Sequence, residues 1–455
     1  MRSAIRGGIR AVLLAFVLWS AGSQGLKLAA EAQRETSASV PVAFLNVNVV
    51  PMDTERILER QTVVVRDGRI ADLGPADSVE IPADAERIEA EGCYLMPALA
   101  DLHTHFVYGP NCEHDLFLFV ANGVTTVRDM WGMSPFLTWR AAIRRGAVLG
   151  PTLYLASTGM DGPGGYWSAL TPPIAWPDEA RQAVASYKAA GYDFIKVYSD
   201  LRPEVYAAIV EEAAAQGIKV VGHVPTRVGL LDVLAAQQYS IEHFTGIVEL
   251  VSSNRALTGV VDEERLREVA GLVQEAGVWV SPTLTVSTVS LDQVAGLAQR
   301  PEMRYASPQM KTWFQHPTNQ APNRDLSRPV ANSKLMLKGL NDAGVKLLLG
   351  VDSGIRYVLP GFSIHDELRL RVEAGLTPYE VIRMGTVNAA EFLNRQEETG
   401  SVAVGKRADL ILLQGNPLED VANIDKRVGV MAGGRWLSET WLRERLEQIA
   451  QSYGN

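Results

Sequence analysis

The run GYDFIKVYSDLRPEVYAAIVEEAAAQGIKVVGH, residues 191–223, decides the fold class of this chain. Gly191 opens an apolar, β-rich stretch that ends at Ser199. A helix-like stretch follows, and Gly217 opens a second β-rich stretch that ends at His223. A glycine just past a helix end takes the left-handed cap at no steric cost. The same rhythm extends outward in both directions. Gly123 precedes VTTVRD, Gly150 precedes PTLYLAS, Gly277 precedes VWVSPT and Gly344 precedes VKLLLGVD, while YSIEH follows Gln238. The strand Ala98–His103 brings the count to eight. These runs are apolar without strict alternation, as in parallel strands covered by helices on both faces. Eight strands alternating with helices predict an α/β fold, a (β/α)8 TIM barrel, over residues 96–395.

β-rich segments flank that region. Residues 41–74 read as short strands, with a hairpin turn at Arg66-Asp67-Gly68-Arg69, within an N-terminal segment 41–95. RADLILL (407–413) and VGVMAGGRW (428–436) read as strands again, within a segment 396–440. The two flanks together are expected to build a small β-sandwich domain beside the barrel, with residues 441–455 as a C-terminal helix and tail. Between Thr285 and Asn332 lies extra material rich in Pro, Asn, Gln and Arg, either a lid at the barrel mouth or an irregular surface insertion.

Composition agrees with a large packed core. The chain has 455 residues, 47% hydrophobic and 21% charged, which excludes disordered, collagenous and low-complexity classes. A formal net charge of −9 gives nucleic acid no purchase. Arg2, Arg6 and Arg10 precede the apolar run Ala11–Gly22, which is shorter than a bilayer span. That pattern predicts a signal peptide over residues 1–32, cut near Ala30-Glu31-Ala32, and an exported chain with no stable membrane insertion. Export would permit a Cys93–Cys112 disulfide; two unlinked thiols are the alternative.

The chemistry lies at the strand ends. In Asp101-Leu102-His103-Thr104-His105 the two imidazoles are at i and i+2, so they project to one face. Alone, such a pair is a weak signal. Here Lys196, His223, His243 and Asp352 fall at the ends of four other strands, on the side where barrels of this kind carry their active sites. Four imidazoles, a carboxylate and a buried ammonium gathered there would be costly to desolvate without a metal.

These motifs resemble the amidohydrolase superfamily, and within it the imidazolonepropionase-related, prolidase-like hydrolases. DLHTH after LMPALA, FIKVYS, GHVP, SIEH, GVDSG and the stretch GTVNAAEFLN…GSVAVGKRADLILL carry the resemblance, over about residues 40–440. Ala98 departs from the glycine many members have there. The resemblance implies two divalent metal ions, with zinc the default. His103 and His105 would bind the buried ion, and His223 and His243 the second. Lys196, N-carboxylated, would bridge them. Asp352 would bind the first ion and act as the base for attack by a metal-bridging hydroxide. A deaminase of this superfamily would be expected to carry Glu shortly after the fifth-strand histidine; here Val224-Pro225-Thr226 follows His223.

The expected activity is hydrolysis of an amide or peptide C–N bond in a small molecule, of the Xaa-Pro dipeptide or N-acyl amino acid type. Lactone, carboxylic ester or phosphotriester hydrolysis by the same site is the alternative. A binding protein without turnover is a third reading, and homo-oligomerisation stays open. Substrate contacts are read at Tyr198, Trp131 and His365, each with packing as the competing role. The glycines of Asp161-Gly162-Pro163-Gly164-Gly165 would allow close backbone approach to a ligand, or simply make a turn. His114 and His316 are expected at the surface.

Overall fold

A computed structural model describes residues 40–454, apart from 108, 166–170, 290–295, 317–318 and 320–324. The expected signal peptide at 1–32 lies outside the described residues. No helix among the described residues is long and apolar enough to cross a membrane.

The chain opens with five strands: β1 (Val42–Val49), β2 (Leu58–Arg66), β3 (Arg69–Pro75), β4 (Glu86–Glu89) and β5 (Tyr94–Pro97). β2 and β3 form the expected hairpin. Asp67 and Gly68 have φ of 51° and 75°, the paired left-handed conformation that a tight two-residue turn requires.

The middle of the chain is parallel. β6 (Leu99–Thr104), β7 (Val124–Asp129) and β8 (Thr152–Leu155) make one three-stranded sheet. β9 (Phe194–Val197), β10 (Lys219–Gly222), β11 (Ser240–Glu242) and β12 (Trp279–Ser281) make a four-stranded one. Helices connect these strands. Glu263–Ala276 shows how sequence sets them. Asp262 accepts from the amides of Glu264 and Arg265 at its start, and Gly277 caps its end at φ 67°. Leu266, Val269, Ala270 and Val273 repeat at helical spacing and are buried, each larger one contributing about 1.5–3 kcal/mol of burial.

The fold is thus mixed α/β, but the eight expected strands do not make one continuous ladder. Single bridges join the two parallel sheets at Ala156–Phe194 and Met160–Val197. The expected eighth strand, residues 345–352, forms no ladder. It lies between β12 and β6, bridged at Val280–Leu347 and Thr104–Ser353. Backbone hydrogen bonds still hold it on both sides, Leu348 N donating to Val280 O and Leu102 N to Leu349 O.

The C-terminal strands β13 (Leu410–Leu413), β14 (Arg427–Ala432) and β15 (Arg435–Ser438) return to the first five. All eight form one sheet in the order β15-β14-β13-β5-β1-β2-β3, with β4 on β1. The expected sandwich is therefore a single sheet. β5 pairs with β1 on one edge and with β13 on the other, so the two flanks meet edge to edge. The sheet is strongly curled. β1 and β15 are four spacings apart, ~19 Å if flat, yet the Phe44 and Trp436 rings lie 5.2 Å apart.

The described parts of the extra segment after β12 carry helical structure. They include helix Leu284–Thr288, the 3-10 turn Pro301–Tyr305 and helix Pro308–Phe314, with Met303, Met310 and Phe314 packed on Leu118 and Leu359. Three helices, Ile364–Glu373, Pro378–Met384 and Val387–Phe392, follow the eighth segment. The last helix, Glu439–Ser452, packs on Cys112–Ala121 through Leu442, Ile449, Phe117 and Val120. Cys93 and Cys112 are both free thiols.

Candidate metal centre

The parallel strands deliver their C-terminal ends to one place. His103 is the penultimate residue of β6 and is fully buried, with His105 just beyond the strand; their rings lie 5.3 Å apart. Asp352 comes from the eighth segment. Its Oδ1 is 3.0 Å from His105 Nε2 and 3.5 Å from His103 Nε2, and its Oδ2 is 4.0 Å from His243 Nε2. Ligand atoms of His103, His243 and Asp352 all fall within 4.8 Å of one another. His243 follows β11, with its ring 4.9 Å from that of His103 and 5.1 Å from that of His223. Lys196 lies in β9, buried, its Nζ 4.9 Å from the centroid of Tyr198, whose ring is 4.4 Å from that of His223.

Backbone geometry aims these groups. His243 and Asp352 both adopt left-handed φ, 60° and 63°, conformations that residues with side chains seldom take outside constrained sites. Gly222, next to His223, has φ 136°; a Cβ there would stand 2.2 Å from Val197 O, so only glycine lets β10 lie this close to β9.

Three imidazoles share one hydrogen-bonding pattern. His103 Nδ1 meets Glu242 Oε2 at 2.7 Å, His243 Nδ1 meets Thr283 Oγ1 at 2.6 Å, and His223 Nδ1 meets Ser199 Oγ at 2.9 Å. With each Nδ1 engaged outward, Nε2 is the nitrogen left for the centre. His103 Nε2 and Lys196 Nζ are buried and have no hydrogen-bond partner among the described residues.

Electrostatics follow from burial. Desolvation pulls His103, His223 and His243 below the usual imidazole range, and the neighbouring Lys196 charge adds to this. Burial also brings Lys196 down to about 8. Asp352 is pushed up by burial, but the imidazoles of His103, His105 and His243 outweigh that and hold it well below the carboxylate range. Neutral imidazoles, an ionised carboxylate and an easily deprotonated amine are the donor forms a divalent cation takes, so these residues fit such an ion.

Several residues escaped the sequence reading. Asp101 Oδ1 accepts from the amides of His103 and Val351, tying β6 to the eighth segment. Asp129 ends β7, fully buried, and burial raises it to about 7. Glu242 and Arg128 form a wholly buried ion pair beneath His103. Glu242 immediately precedes His243, and Arg128 is in VTTVRD, so neighbours of the noticed residues were the available signal.

Of the expected substrate contacts, Trp131 and Tyr198 adjoin the centre, with ring centroids 5.7 Å apart. His365 points elsewhere. It is buried in helix Ile364–Glu373, with Nε2 3.0 Å from Arg427 and 3.6 Å from Asp425. Ser363 makes no side-chain cap on that helix, because it is already helical at φ −70°, ψ −5°.

A parallel α/β scaffold with histidines and an aspartate at the strand ends defines a hydrolase of the metal-binding type, and comparison with known proteins gives the family. The amidohydrolase family model matches residues 94–437. An ochratoxinase from Aspergillus niger is 27% identical over 451 residues, covering 84% of this chain and 83% of that protein. An imidazolonepropionase from Micrococcus luteus is 26% identical over 401 residues, covering 79% and 88%. The solved structure of a Xaa-Pro dipeptidase with bound methionine shares the fold at a TM-score of 0.68 and 20% identity, covering 88% of this chain and all of that one. The chain belongs to the amidohydrolase family and is a hydrolase acting on carbon–nitrogen bonds. The family generally binds divalent metals.

Proposed function

We propose that the chain is an exported binuclear-metal amidase for a small molecule. The single observation behind this is the set of inward-facing donors: the Nε2 side of buried His103 and half-buried His223 and His243, the buried, partnerless Lys196 Nζ and the buried Asp352 carboxylate. The two parallel sheets, the eighth segment and the bridges between them are read as a (β/α)8 barrel with this set at its mouth. His103, His105 and Asp352 would hold one ion, His223 and His243 the other, and N-carboxylated Lys196 would join them. The neutral amine that carbon dioxide needs is favoured by the lowered basicity of Lys196.

When bound, two zinc ions held by these residues would supply an acidified water and a Lewis-acid contact for the scissile carbonyl. The protein does the rest. Asp352 accepts the proton of the attacking water and delivers it to the leaving nitrogen, so the C–N bond breaks as an amine departs. Tyr198 and Trp131 form an aromatic wall beside His223. An Xaa-Pro dipeptide or N-acyl amino acid is the substrate class. The presence of a Xaa-Pro dipeptidase among the proteins that share this fold supports that choice.

Elemental analysis of the mature protein together with a hydrolysis panel of dipeptides, N-acyl amino acids, lactones, esters and phosphotriesters tests the proposal. About two ions per chain with amide turnover supports it. Cleavage of esters or phosphotriesters alone overturns it. Asp352→Asn is expected to keep the fold and most of the metal while lowering kcat by about 10²–10⁴-fold. A near-normal kcat would remove Asp352 from the proton-transfer role.

A further inference from the structure

We infer that Glu242 is a positioning residue for this centre, held in place by Arg128, and that it sets how tightly the ion at His103 is bound. The inference rests on the metal-site reading above. Glu242 Oε2 lies 2.7 Å from His103 Nδ1. A carboxylate oxygen only accepts, so the ring proton is on Nδ1 and the Nε2 lone pair faces the centre. Glu242 Oε1 takes Ser240 Oγ at 2.6 Å and Arg128 Nη2 at 2.9 Å. Arg128 also donates from Nε to the carbonyl of Leu102 at 2.5 Å. One guanidinium therefore grips the peptide just before His103 and the carboxylate on its ring, fixing backbone and side chain of the same ligand. The Phe392 ring lies under it, 4.8 Å from Cζ. Glu242 and Arg128 are completely buried.

The other two of these three imidazoles meet only hydroxyl oxygens at Nδ1, Thr283 Oγ1 and Ser199 Oγ. A charged acceptor makes a bond roughly twice as strong as a neutral one and raises the basicity of the ring it holds. The chain thus makes the two ion positions unequal. The ion at His103 is the one retained longest.

Zinc titration against a chromophoric chelator, on the full-length chain, tests this through binding constants, not turnover. In Arg128→Met/Glu242→Met both buried charges are gone, so the metal-free protein is expected to melt near the parent. One of its two zinc constants is expected to weaken by about 10–100-fold. If that variant does not fold, Glu242→Gln, which keeps a neutral acceptor for Nδ1–H, is measured instead; its loss at the same position is expected to be about 10-fold or less but still resolved. A folded variant with both parental zinc constants overturns the inference. Parent protein that binds no zinc overturns the metal-site reading itself, before any substitution is made.

Discussion

Two fully buried Arg–Glu pairs lie among the described residues, and they end on different things. Arg128–Glu242 joins β7 to β11 and terminates on the ring of His103. Glu367–Arg371 lies within one helix, at i and i+4. Its carboxylate accepts from the amides of Leu284 and Thr285 and from Thr285 Oγ1, while its guanidinium donates to Leu348 O. One pair aims a side chain that has an unpartnered nitrogen. The other fastens the helix after β12 to the eighth segment. Burial and charge are the same in both, so only the terminal contact separates a positioning role from a packing one.

The largest expected effect treats the pairs alike. Arg371→Met or Arg128→Met leaves a buried carboxylate without its cation and is expected to cost about 3–5 kcal/mol in denaturant unfolding. A loss below about 1 kcal/mol in either would mean that water reaches that pair. The next effect splits them. Zinc at 100 times its dissociation constant should stabilise the parent by about 2.7 kcal/mol. Arg371→Met should keep that increment, and Glu242→Ala should lose most of it, measured as the difference in Tm with and without chelator. Equal increments in both variants would erase the distinction.

Smaller effects sharpen it. Thr283→Ala and Ser199→Ala each remove a hydroxyl from an Nδ1 and should reduce zinc binding by about 0.5–1.5 kcal/mol, less than loss of the Glu242 carboxylate. His365 supplies the control imidazole, buried but away from the centre. Burial, and then the charges of Arg427 and Arg369, hold it well below the usual range. The unfolded imidazole takes up a proton near pH 6.5 and the folded one does not, so stability falls as pH drops below 6.5. The slope is at most about 1.4 kcal/mol per pH unit. His365→Gln should flatten that part of the melting profile between pH 7 and pH 5, and an unchanged profile would mean the folded imidazole protonates freely.

What the sequence disclosed follows from range. His103 and His105 are legible because i, i+2 spacing puts them on one face of a strand. Lys196, His223, His243 and Asp352 are legible because each lies at or near the end of an apolar run introduced by Gly or Gln. Glu242 and Arg128 stand 114 residues apart, and no local period couples them. The left-handed φ of Asp352 at the end of the eighth segment depends on what surrounds it and not on residue type. The same holds for β5, whose two-sided pairing turns the expected sandwich into one curled sheet. His365, read from sequence as a substrate contact or a packing residue, is carried by its helix to Arg427.

The most direct measurement is anomalous diffraction at the zinc edge from crystals of the zinc-loaded protein. Two peaks are expected among the strand ends, one within about 2.0–2.2 Å of His103 Nε2 and an Asp352 oxygen and the second within the same reach of His223 and His243. Density with no peak between these imidazoles, or a lone ion bound elsewhere on the chain, would contradict the binuclear centre.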